Sequence, residues 1–305
     1  MNNYKPKIRT ILLFFIGLIF FISSGIEAGD LRVIREKTFS VKQGETLGVD
    51  VSGADVKIES RDVNEVYVKI LGNRRAEDKM NFRIDQTSSG VEVEIKRKGS
   101  SWFNWGGGIS LRVEVTVPRT YNTDVNTSGG DINLSNVKGT HNLKTSGGDV
   151  ELDNTNGRLY VKTSGGDIIL NSHTGESELT TSGGDIVTRK QLGDIKASTS
   201  GGNVELETQN GKVSAKTSGG SIKINYTGTY KGIKATTSGG GIRINVPKDI
   251  KATVQLATSG GSIDCDFSNS RANKVTRSKY EAEFNGGGEE LYAKTSGGSI
   301  YLKEN

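Results

Sequence analysis

Four aspartates, Asp131, Asp149, Asp167 and Asp185, recur at intervals of 18 residues, each directly after a Gly-Gly pair, and the position continues as Asn203 and Ser221. A row of carboxylates stacked at one register could ligate calcium, a hard cation that takes 6 to 8 oxygens. The calcium-binding solenoid pattern GGxGxDxUx, however, sets Asp apart from its glycine pair, whereas here Asp follows the pair at once. The preferred reading is therefore structural, with the side chains accepting hydrogen bonds from turn amides. Cation relief of the stacked like charges is the alternative.

Other groups that could do chemistry are few. His141 and His173 are the only histidines, and they fall at different positions of the repeat. A paired metal site or a Ser-His system would need them to converge, so both read as solvent-exposed turn residues. Cys265 stands alone, which excludes an internal disulfide and reads as a small buried apolar residue. The segment SSWFNWGGG, Ser100 to Gly108, places Trp102, Phe103 and Trp105 beside three glycines. Two readings compete for it: an aromatic loop that docks on a partner, or a plug over the end of the fold. No catalytic residue and no cofactor is assigned, because a nucleophile, a base and an orienting group are nowhere gathered.

The elements that carry these residues are set by a repeat. TSGG begins at Thr127, Thr145, Thr163, Thr181, Thr199, Thr217, Thr237, Thr258 and Thr295, at intervals of 18 five times and then 20, 21 and 37. The last interval is close to two periods and reads as one rung that has lost its TSGG, with an insertion around Ser268 to Lys279. Within a unit, Leu159 and Val161 alternate before TSGG, and Ile168 and Leu170 alternate after it. Period two, twice, predicts two short strands per unit separated by glycine turns. The paired glycines read as residues that permit positive φ. Thr shares parity with the apolar pair before it and should point inward. A buried Ile or Leu is worth roughly 1.5–3 kcal/mol against about 1.5 kcal/mol to order each residue, so one rung cannot fold alone and the stack must form cooperatively.

The expected class is all-β: a single-stranded β-solenoid with about 18-residue rungs and a mixed β N-terminal cap. Gly contributes 41 of 305 residues and Pro only 3, and 33% of residues are hydrophobic, which suits many short strands and turns. Residues 1–28 read as a signal peptide, with Lys5, Lys7 and Arg9 before the apolar run from Ile11 to Ile22; retention as an anchor is the alternative. Residues 29–126 read as the cap and degenerate rungs, because SGADVKI from Ser52 and SSGVEVEI from Ser88 echo SGGDINL from Ser128. Residues 127–305 form the regular solenoid. The formal charge of +5 becomes +3 once the three leading cations and Glu27 are removed, and acids and bases alternate along the chain. That pattern reads as a solvated surface rather than a nucleic-acid stripe.

Two longer segments also match: LRVEVTVPRTYNTDVNTSGGDI from Leu111 and IRINVPKDIKATVQLATSGGSI from Ile242. With the SGGDI-type repeats and the closing NGGGEELYAKTSGGSIYL from Asn285, the chain resembles a family of bacterial exported proteins, the "putative adhesin" family, whose β-strand-repeat domain has no assigned function. The resemblance implies a right-handed β-helix-like fold, an envelope or surface role, and no catalytic residues. The expected function is thus a noncatalytic exported scaffold that binds an envelope protein or a surface glycan and has no stable membrane span after signal removal. Residence in the periplasm, at the cell surface or outside the cell all fit. The alternatives are an envelope-stress or signalling sensor module that binds another envelope protein, and a polysaccharide-active β-helix enzyme.

Overall fold

Strands that bury every second side chain on one face cannot stand alone, and in this chain they pair with their own repeats. A computed structural model describes residues 31–99 and 108–305; the expected signal peptide and Trp102, Phe103 and Trp105 lie outside the described residues. Each rung has one strand before the TSGG turn, on what we call the front face, and one after it, on the back face. Thr155–Lys162 and Ile168–Leu170 make a typical rung. Front strands pair in parallel with front strands, as in Leu159↔Ser177 and Val161↔Leu179, and back strands with back strands, as in Ile168↔Ile186. The protein is a β-solenoid of eleven such rungs among the described residues. Leu159, Val161, Ile168 and Leu170 are each at most 1% exposed, so one continuous aliphatic column runs between the two faces.

The nine TSGG threonines are all buried, as their parity requires. Thr163 Oγ1 donates to Gly148 O at 3.0 Å and Thr181 Oγ1 to Gly166 O at 2.9 Å, so each hydroxyl ties its turn to the turn one rung earlier. The glycines work differently from the sequence expectation. Positive φ belongs to the other corner, at Gly139, Gly157, Gly175 and Gly193, and not to the TSGG pairs. The second TSGG glycine is needed because turns stack closely: a Cβ on Gly166 would sit 2.0 Å from Gly148 O.

The rungs do not stack in chain order at the ends. The rung Thr46–Val51 and Asp55–Arg61 lies between Gly90–Arg97 with Leu111–Pro118 on one side and Asn122–Thr127 with Ile132–Ser135 on the other. At the far end the last rung, Glu289–Thr295 and Ile300–Glu304, enters between Ile233–Thr236 with Ile242–Val246 and Ala252–Thr258 with Ile263–Asp266. The two matching Val-Pro segments are the connections that skip a rung. The chain climbs one rung through Asn154 or 171–172 and two rungs through 119–121 and 247–251, although 210–212 and 228–232 are equally long and climb only one. Pro118 closes its strand and Pro247 follows the next one directly, where a missing amide breaks no ladder bond.

Two further expectations are corrected. The 37-residue interval hides no lost rung: after Ile263–Asp266 the chain forms an antiparallel hairpin, Ser270–Val275 with Lys279–Phe284, that covers Ala252–Thr258. Phe267 stacks on Phe284 at 3.8 Å to close that end. SGADVKI is a true TSGG equivalent, since Thr127 Oγ1 donates to Ala54 O and Asp131 N to Asp55 Oδ1. SSGVEVEI is not, because Gly90–Arg97 is a front strand paired with Thr46–Val51. At the opposite end Arg32–Ser40, Glu65–Gly72 and Met80–Thr87 run antiparallel to their neighbours. The outermost strand on the back face there carries Arg32, Arg35, Glu36 and Lys37, charges that discourage pairing with another chain.

Candidate functional site

The aspartate row is built as one hydrogen-bonded ladder. Asp149 N donates to Asp131 Oδ1 at 2.9 Å, Asp167 N to Asp149 Oδ1 at 2.8 Å, and Asp185 N to Asp167 Oδ1 at 2.7 Å. Asn203 N continues to Asp185 Oδ1 at 2.7 Å, and Ser221 N to Asn203 Oδ1 at 2.9 Å. Each side chain thus satisfies the turn amide of the following rung and spends one oxygen doing so. Substituting Thr181 tests the companion ladder inside the turn. Thr181→Val keeps the shape but strands Gly166 O, so chemical denaturation should show a loss of about 1–2 kcal/mol. An unchanged denaturation midpoint would show that these hydroxyl bonds contribute nothing net.

Both histidines are buried, which corrects the expectation of exposed turn residues: His141 is 0% and His173 is 1% exposed. His141 pairs with Thr123 and Leu159 across the front face, so it occupies an inward position that most other rungs fill with aliphatic residues, Thr123 and Ser177 excepted. His173 follows Thr155 and precedes Gln191 along the corner. Thr123 Oγ1 meets His141 Nδ1 at 3.0 Å, and Thr155 Oγ1 meets His173 Nδ1 at 2.9 Å. The Nε2 atoms have no partner at hydrogen-bonding geometry, and neither have Ser177 Oγ, Thr188 Oγ1, Gln191 Oε1 and Thr208 Oγ1 nearby along the core. Burial holds His141 down at about 4 and lowers His173 as well, so both rings are neutral at pH 7. This polar seam was invisible as a unit, although adding one period to 141 reaches Leu159 and exposes the inward parity of His141.

Cys265 is half-buried against the core, and burial pushes its thiol up to about 11, with Asp264 and Asp266 adding to the shift. That makes it a poor nucleophile. A cleft of about 950 Å³ lies where the 247–251 connection passes residues 285–288. Tyr230, Asp249, Lys251, Glu289 and Glu290 line it, and Tyr230 Oη donates to Glu290 O at 2.9 Å. Among the described residues no three His, Cys, Asp or Glu side chains gather where they could hold a metal ion.

The family model Toastrack DUF4097 matches residues 45–303. The chain belongs to the Toastrack DUF4097 family. The match begins at the front strand of the inserted N-terminal rung and ends in the last back strand, so the Toastrack unit includes both rung-skipping ends. Solved structures similar to this Toastrack chain include a putative adhesin from Bacteroides fragilis NCTC 9343, at 15% identity and TM-score 0.44, covering 91% of this chain and 98% of that one. Another is a putative lipid binding protein from Parabacteroides distasonis ATCC 8503, at 11% identity and TM-score 0.47, covering 89% and 96%. No curated protein matches the chain. Among the described residues no helix is long and apolar enough to cross a membrane.

Proposed function

We propose that this chain is a noncatalytic exported scaffold, an adhesin-like module that binds a partner on its flat solenoid faces. The observation that carries this reading is the fate of the groups with acid-base potential. The aspartate row is bonded to backbone amides, the two imidazoles face the core, and the thiol is held protonated. What remains outward is a periodic array of polar side chains on a rigid support, a geometry suited to contact and not to turnover. The test is to incubate the purified chain with a panel of polysaccharides and envelope extract, scoring retention and product release separately. Retention of a glycan without new reducing ends is expected. Release of oligosaccharides would overturn the reading in favour of a β-helix enzyme, and a single stoichiometric envelope protein would turn it toward a sensor.

A further inference from the structure

Folding sorts charges that alternate along the chain onto different faces. On the front face the register aligns Lys144 with Lys162, Glu178 with Lys196, Ser198 with Lys216, and Ser214 with Lys234, while Thr236 lies beside Lys294. Over seven consecutive rungs the two outward columns therefore hold six lysines and one carboxylate. Seven rungs at ~4.8 Å make a track of about 29 Å. Only Lys196 has a carboxylate, Glu178, at 2.7 Å. Lys144 and Lys234 lie over the rings of Tyr160 and Tyr292, each at 5.8 Å. Lys162, Lys216 and Lys294 are exposed and have no carboxylate within ion-pair distance among the described residues.

We infer that this track docks a linear polyanion, an acidic polysaccharide or phosphate-bearing polymer laid along the solenoid axis. Like charges on adjacent strands repel, so a lysine column left without internal counterions is complemented from outside. The track is two side chains wide. On one side the TSGG turns of the first three of these rungs carry Asp149, Asp167 and Asp185, and on the other Arg158, Glu176, Asp194, Lys212 and Glu290 mix both signs. A positive line two side chains wide and about 29 Å long fits an extended chain better than a planar anionic membrane. Two tyrosines within the track offer ring faces to sugars. The back face differs, since Glu151, Glu205 and Glu207 interleave with Lys223 and Arg243, and Lys223 pairs with Glu205 at 2.6 Å.

This inference rests on the binding reading above and names its partner class. The full chain is titrated with polygalacturonate, inorganic polyphosphate, neutral dextran and phosphatidylglycerol vesicles. Both polyanions should bind, dextran should not, and affinity should fall as salt rises. The triple variant Lys162→Gln, Lys216→Gln, Lys294→Gln should bind at least about 30-fold more weakly and with a shallower salt dependence. Lys223→Gln, Arg243→Gln, Lys303→Gln removes the same charge from the back face and should change affinity by less than about 3-fold. Equal losses in the two triple variants, absence of binding to either polyanion, or stronger binding to the vesicles than to the polymers would each overturn the track. Dextran retention without polyanion binding would overturn it while leaving the scaffold reading intact, and turnover of polygalacturonate would defeat both. Unchanged melting of the variants confirms that affinity alone is being read.

Discussion

Alanine at Gly166 should cost at least about 3 kcal/mol, while alanine at the adjacent Gly165 should shift stability by no more than about 0.5 kcal/mol. The two residues share a turn and differ by one peptide, but a Cβ at Gly166 meets Gly148 O at 2.0 Å and Asp149 Oδ1 at 2.7 Å. Neither neighbour can withdraw: the carbonyl accepts from Thr163, and the carboxylate accepts from Asp167 N. At Gly165 the nearest atom is Gly147 O at 3.6 Å, an ordinary contact, and its φ is not in the left-handed region. Replacing that glycine also reduces the freedom of the unfolded chain, which offsets any small strain. Urea denaturation of the two variants decides the matter. Similar losses for both would show that the turn, and not the spacing between turns, demands glycine.

Acidification from pH 7 to pH 5 should destabilise the solenoid by about 2 kcal/mol through His141 alone. In the folded state its ring is held down at about 4 from an ordinary value of 6.5, chiefly by burial and further by His173. Between those values the unfolded chain binds a proton that the folded chain refuses. Stability is therefore complete above pH 7 and declines as pH falls from 6.5 toward 4, by about 3 kcal/mol over the full window. His173 is lowered too and acts in the same direction. His141→Leu, which places at 141 the residue found one rung on at 159, should flatten much of the slope between pH 7 and pH 5. A wild-type chain equally stable at both pH values, or a variant with the original slope, would contradict neutral burial of this ring.

The regular part of the fold was legible because stacking multiplies a weak signal. One alternating pair such as Val150 and Leu152 says little, but its recurrence as Ile168 and Leu170 fixes both the strand and its inward face. The Asp131 to Asp185 ladder followed from the same arithmetic. The order of the end rungs did not, because interchangeable turns pair equally well with any equivalent turn. Thr295 bonds to Gly240 and Thr258 to Gly298, and nothing in either TSGG distinguishes that arrangement from stacking in chain order. The Val-Pro match marked both skips, yet connection length alone does not reveal them, since 228–232 is as long as 247–251 and skips nothing. The histidines were misplaced because they were judged as polar residues and not by parity. The sorting of lysines onto one face was hidden because neighbours along a strand point to opposite sides, so alternation in the chain becomes segregation in space.

The inserted terminal rungs also bear on how the molecule is put together and pulled apart. Residues Ala252 to Asp266 have no parallel neighbours until Glu289 to Glu304 arrive, so the far end cannot be laid down one coil at a time and waits for the C-terminus to be complete. Once seated, that final segment is gripped on both flanks. Tension on the C-terminal segment would meet a clasp that must shear as a whole, not a loose ply that peels.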